Sequence, residues 1–232
     1  GDVYNRQPLS LNGWDGWLTG HPCDDAGLHL RCVETIAGAD LVFPRRAPST
    51  LAFLTPDTGT GDLSSWPLAE DGTSGIEAGD SICNAYALQA GLPLVGSYKA
   101  WLSDDSVDAR DRFENDGPRL RPDGIRLADN LDQINTSMLL TANMVTSGGE
   151  YIPGVRVWSG SLSDGTAAAS HCTGWTSTGG QGRGGRANHS DAIWTDLENV
   201  NCNEGSSRLY CISDADIENI FMDGFEAVPL GN

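Results

Sequence analysis

The chain has 232 residues and a formal net charge of −18, from 32 acidic against 14 basic side chains. That balance argues against nucleic acid, heparin-like polyanions and acidic membranes as partners, because all three are bound through clustered Lys and Arg. The length suits one large domain with an extension, and no stretch reaches the roughly 20 apolar residues of a membrane helix.

Residues 1–47 are rich in Gly, Trp and Pro, as in NGWDGWLTG and PRRAPS, and read as loops with short strands in an N-terminal extension. Cys23 and Cys32 are close enough to staple a local loop. TLAFLTP, residues 50–56, is a short apolar run bounded by turn residues and predicts a strand, and residues 57–74 read as a loop. A helix is expected to begin near Ile76, because Ile76, Gly79, Cys83, Tyr86, Ala87 and Ala90 share one face at spacings of three and four. Gly91 and Pro93 supply its stop, and Cys83 points inward. YKAWLSDD predicts a strand with Trp101 in the core. Asp104, Asp105 or Ser106 can cap a second helix running to about Asn115, ended by Gly117 and Pro118. RLRPDGIRLAD alternates around Pro-Asp-Gly and predicts a hairpin, followed by a helical turn at DNLDQI. From Met138 onward MLLTANMV, GVRVWSG, DAIWTD and RLYCIS read as strands, and the glycine-rich residues 177–191 as a mobile loop. The main domain is thus expected over 48–213, with an acidic tail over 214–232 whose Phe221 and Phe225 can dock on the body or engage another molecule.

Six cysteines without a CxxC pair fit an oxidising compartment better than a zinc site. The chain is therefore expected to be secreted or at the cell surface, with the periplasm as an alternative, after removal of a signal peptide. Cys83, Cys172, Cys202 and Cys211 leave three connectivities open.

Motifs for catalysis are missing: there is no HExxH, P-loop, GxSxG elbow or dinucleotide fingerprint. The histidines His21, His29, His171 and His189 are scattered. His171 lies beside Ser170 and Cys172, but adjacency in sequence does not orient a base toward a nucleophile. Asp104 and Asp105 form an acidic pair of the kind that also serves as a helix cap. Asp191, Asp196, Glu198, Asn199 and Asn201 crowd the segment before Cys202. Oxygen ligands of this kind suit Ca²⁺, while the plainer reading is a polar loop that satisfies its own backbone. Trp14, Trp17 and Trp66 lie in polar, loop-like contexts where an exposed ring would suit a sugar face, whereas Trp101, Trp158, Trp175 and Trp194 sit in segments expected to be core. The sequons at Asn135 and Asn188 matter only in a glycosylating host.

Taken in order, a helix carrying Cys83, the AWLS strand, a second helix, the VWSG strand, a CxxW element (Cys172, Trp175) and a final LYC strand resemble the C-type-lectin-like superfamily. The likeness is greatest to its endostatin branch, the C-terminal domain of certain collagens, and to bacterial secreted relatives. It covers residues 50–213. It implies an α+β fold, two helices against twisted, mostly antiparallel strands, with Cys83 paired to Cys211 outside and Cys172 to Cys202 inside. Sugar-binding members use a Glu-Pro-Asn or Gln-Pro-Asp loop followed by Trp-Asn-Asp. Trp194-Thr195-Asp196 resembles the second element with Thr in place of Asn, and the first is absent. By this likeness a ligand site is expected at Trp194, Asp196 and Asn199, and calcium at Asp191, Asp196, Glu198 and Asn201. The heparin and zinc sites of endostatin do not carry over, since the basic surface and the histidine cluster are lacking. The expected function is a non-catalytic recognition or adhesion module for a glycan or an extracellular protein. The alternatives are a structural subunit that self-assembles through its N-terminal extension or C-terminal tail, and a secreted hydrolase.

Overall fold

A computed structural model describes residues 49–216. The expected N-terminal extension with its Cys23–Cys32 bridge, Trp14, Trp17, His21 and His29 lies outside the described residues, as do Phe221 and Phe225 of the tail. The described chain is α+β, as expected. Strands β1 (Thr50–Leu54), β2 (Tyr98–Ala100), β3 (Arg119–Leu120), β4 (Arg126–Ala128), β5 (Arg156–Trp158), β6 (Gln181–Arg186), β7 (Glu198–Asn201) and β8 (Ser207–Ser213) form one sheet in the order β4-β3-β1-β8-β5-β6-β7, and β2 also pairs with β8. Helix α1 (Gly75–Gln89) and the short helix α2 (Leu131–Asn135) are right-handed α-helices, joined by short 3₁₀ turns and a helical turn at Cys172–Trp175. Pairing is antiparallel except for β1 with β3 and β5 with β8. β5 runs along Ser207–Leu209 of β8 and β2 along Cys211–Ser213, so two short strands share that long central one.

The core follows from strand alternation. Successive side chains point to opposite faces of a sheet, and both faces of β1 and β8 are covered. Leu51, Phe53, Leu209 and Cys211 join one apolar cluster, while Ala52, Leu54, Tyr210 and Ile212 join the other. Helix α1 covers the first cluster with Ala78, Ile82, Cys83, Tyr86 and Ala87. Of the expected helical face, Gly79, Cys83, Tyr86 and Ala87 are buried, Ile76 is half-buried and Ala90 is exposed. Ala90 falls off the face because it is the C-cap, followed by Gly91 in left-handed backbone. Two bridges hold these parts together. Cys83–Cys211 ties α1 to the middle of the sheet, and Cys172–Cys202 ties the turn before β6 to the residue after β7.

Four expectations are corrected. The second helix does not form. Asp104 Oδ1 accepts from the N–H groups of Ser106 and Val107, and Ser103 Oγ accepts from Ala109 N–H, leaving only a 3₁₀ turn at Ala109–Arg112. These side-chain bonds offer the backbone an alternative to the helix. MLLTANMV is not a strand, and within it only Val145 forms an isolated bridge, to Tyr151. DAIWTD is a 3₁₀ turn at Ala192–Trp194, capped by Asp191 accepting from Ile193 N–H. The expected glycine-rich loop contains β6, which lies between β5 and β7. Glycine is needed there by close approach: a Cβ on Gly182 would lie 2.7 Å from Cys172 Sγ, and one on Gly184 would lie 2.7 Å from the Val157 carbonyl. Trp66, in its polar and loop-like context, is a buried core residue, and its Nε1 donates to the Thr60 carbonyl at 3.0 Å.

Ion pairs fasten the periphery. Lys99 Nζ meets Asp214 at 2.7 Å, and Asp214 also accepts from the N–H groups of Glu114 and Asn115. Burial works against the ionised Asp214, but Lys99 and these two N–H groups outweigh it and hold its carboxyl below the ordinary range. Burial likewise opposes ionised Asp123, and hydrogen bonds from Arg121 and Tyr151 outweigh it. A carboxyl with a depressed folded value is protonated first in the unfolded chain. Its contribution is therefore full above the unfolded value of about 3.9 and is lost as pH falls through the lower folded value. Urea midpoints should decline below about pH 4, and the decline should be shallower for Asp214→Asn. Relief of net negative repulsion acts in the opposite sense, so the comparison of wild type with variant isolates the local contribution. Equal acid limbs would contradict it.

Candidate functional site

The segment expected to bind ligand and calcium is built from the end of the 3₁₀ turn and from β7. Trp194 is fully buried, tilted against Trp101 and Tyr210, and its Nε1 donates to Ser137 Oγ at 2.9 Å. Its ring thus belongs to the core and not to a ligand surface. Asp196 follows it. Its Oδ1 accepts from Arg183 Nε at 2.6 Å and its Oδ2 from Ser163 N–H at 3.0 Å. Asn199 Oδ1 is 3.4 Å from the same guanidinium.

Strand alternation separates the remaining residues. In the β6–β7 register Gln181 faces Asn201 and Arg183 faces Asn199, so these four side chains share one face of the ladder. Glu198 is on the other face, where it accepts from Arg156 Nε at 3.0 Å while Arg156 Nη1 reaches Glu204 at 2.9 Å. Asp191 caps its turn and sits 3.3 Å from His189 Nδ1. The structure thus brings Asp196 and Asn199 together around Arg183 and leaves Asp191 and Glu198 in other pairings. Among the described residues no group of three or more His, Cys, Asp or Glu is arranged to hold a metal ion.

A second polar site lies around His171. Its Nδ1 accepts from Gly174 N–H at 2.8 Å, which leaves Nε2 to carry the proton and donate to Asp105 Oδ1 at 3.0 Å. Both ring nitrogens are therefore occupied. Among the described residues no hydroxyl hydrogen-bonds to His171, so Ser170 beside it in sequence is not positioned as a nucleophile. Asp105 borders an open recess of about 590 Å³, whose acidic lining is Asp104, Asp105, Asp108 and Asp111. Burial opposes ionised Asp104, but hydrogen bonds from Ser106 and from Val107 N–H outweigh it and hold the carboxyl low.

Sequence reasoning missed the arginines. Arg156, Arg183 and Arg186 each stand within 4 Å of a carboxylate near β7. Two of them come from the glycine-rich segment. The signal was their alternation with glycine in GRGGR, a pattern that puts long side chains beside positions where only glycine fits. No protein-family model matches the chain, and no curated protein matches it. No helix among the described residues is long and apolar enough to cross a membrane.

Proposed function

We propose that the chain is a secreted, non-catalytic recognition or adhesion module built on a C-type-lectin-like, endostatin-related frame, with a glycan or an extracellular protein as ligand. The observation that carries this reading is the shared face of β6 and β7. Gln181, Asn199 and Asn201 are exposed there beside the Arg183–Asp196 pair. Amide donors and acceptors held on a paired, disulfide-tethered ladder suit hydrogen-bonded recognition of a polar ligand, because their geometry is set before the ligand arrives. The nested Cys83–Cys211 and Cys172–Cys202 bridges support the family likeness. The occupied ring nitrogens of His171 favour binding over hydrolysis, since a general base must reach the proton it removes.

The test is to probe arrays of glycans and of extracellular proteins with the labelled full chain, with and without EDTA. Saturable binding to one ligand class is expected, weakened about tenfold or more by Asn199→Ala with Asn201→Ala, if these amides supply about 1–2 kcal/mol in contacts. EDTA should leave binding and melting temperature unchanged, because Asp196 and Glu198 are already neutralised by arginines. A melting temperature that rises with calcium and loses that rise in Asp196→Ala would instead place an ion among Asp191, Asp196, Glu198 and Asn201. Turnover of an arrayed compound would replace the binding reading with the hydrolase.

A further inference from the structure

Residues 172–175 form a single turn of left-handed helix. Cys172, Thr173, Gly174 and Trp175 have φ of 51°, 55°, 64° and 65°. The N–H groups of Trp175 and Thr176 reach back four residues, to the carbonyls of His171 and Cys172. Left-handed backbone brings Cβ too close to the next carbonyl oxygen and is disfavoured for every residue but glycine. Three of these four residues are not glycine. The turn is held by buried Trp175, whose Nε1 donates to the Ser103 carbonyl at 2.9 Å, by the Gly174 N–H to His171 bond, and by the Cys172–Cys202 bridge. Only the bridge is both covalent and chemically reversible.

The bridge is tightly enclosed. A Cβ on Gly61 would lie 2.2 Å from Cys172 Sγ and one on Gly182 would lie 2.7 Å from it, so backbone closes on this sulfur from two sides. Two thiols occupy more room than a bonded sulfur pair. Gly61 and Gly182 cannot retreat easily: Gly61 N–H is bonded to the Cys202 carbonyl, and Gly182 lies within β6. The turn can yield, because Thr173 and Thr176 are exposed and opening it relieves the left-handed backbone. The outer bridge is placed differently, from the interior of α1 to the middle of β8.

We propose that Cys172–Cys202 is a redox-operated conformational lock on the His171 turn. Cys172 and Cys202 are buried, so in a dithiol environment the exposed turn opens first, and one external thiolate then attacks a bridge sulfur while the other cysteine leaves as a thiolate. The second external thiol then resolves the mixed disulfide. The bridge gains two electrons and two protons, and the dithiol becomes a disulfide. With Cys83–Cys211 still closed, the turn relaxes to ordinary backbone and withdraws the Gly174 N–H from His171 Nδ1, freeing that nitrogen of a ring whose other nitrogen meets Asp105 at the edge of the acidic recess. The lock is independent of what the β6–β7 face binds.

The test equilibrates the full chain in graded dithiothreitol redox buffers, traps thiols with iodoacetamide and maps the peptides, with circular dichroism on the same samples. A species alkylated at Cys172 and Cys202 and still bridged at Cys83–Cys211 is expected, with an altered near-UV spectrum and a retained far-UV spectrum. Thr173→Gly removes one left-handed penalty from the closed form at an exposed position, so it should make the inner bridge about 5- to 30-fold harder to reduce. Loss of both bridges together with unfolding would overturn the lock. So would an inner bridge that opens without spectral change, or a Thr173→Gly chain that is reduced as readily as wild type.

Discussion

Opening the outer bridge with Cys83→Ala and Cys211→Ala is expected to lower the stability of the chain by about 5 kcal/mol, from the entropy of the loop it closes. The two cysteines are 128 residues apart, so most of the described chain lies between them. Cutting that link releases more denatured-state freedom than cutting the inner one, whose separation is 30 and whose expected cost is about 4 kcal/mol. Since ordinary domains are stable by only about 5–15 kcal/mol, the double variant should be marginal. Urea titrations of the variant and the parent measure the difference. A steeper transition is expected as well, because the unbridged denatured chain exposes more surface. A loss under about 2 kcal/mol would mean that the denatured chain is held compact by something other than the bridge.

Gly185→Ala is expected to cost at least about 3 kcal/mol, the upper range for forcing extra atoms into a packed interior. A Cβ at this position would lie 2.0 Å from the Trp194 carbonyl oxygen, 2.4 Å from its carbon and 2.6 Å from Thr195 N. All three are backbone atoms of the turn that places Trp194 in the core, so no rotamer change can relieve the clash. β6 cannot shift away either, because it is bonded to β5 on one side and β7 on the other. Gly179→Ala is the control. Its Cβ meets only Ser177 Oγ at 3.4 Å, and a change within about 0.5 kcal/mol is expected. Equal thermal melts for the two variants would contradict the packing described for β6.

The contrast between these glycines explains what the sequence disclosed and what it concealed. Local signals worked where local physics decides. The spacing of Gly79, Cys83, Tyr86 and Ala87 identified α1, Pro122-Asp123-Gly124 identified the β3–β4 hairpin, and the apolar runs identified β1, β5 and β8. Tertiary contacts decided the rest. Residues 181–186 look like linker by composition and form a strand because they pair with β5 on one side and β7 on the other, and at Gly182, Gly184 and Gly185 their surroundings leave room for nothing larger than hydrogen. Residues 104–115 carry helix caps, yet Ser103 Oγ takes the Ala109 N–H that the helix would have used, and Asp108 accepts from the distant Ala167 N–H. At the candidate site the acidic crowd before Cys202 was visible, but the arginines that pair with it come from β5 and β6, and sequence proximity could not indicate them. The left-handed turn at Cys172 left no compositional trace beyond one glycine.

Two nested bridges, Cys83–Cys211 and Cys172–Cys202, organise the described α+β fold. Proteolysis of the unreduced full chain, with mass spectrometry of the linked peptides, tests it most directly. The expected products join the Cys83 peptide to the Cys211 peptide and the Cys172 peptide to the Cys202 peptide. Recovery of Cys83 linked to Cys172, or of any of these four as a free thiol in the native protein, would contradict it.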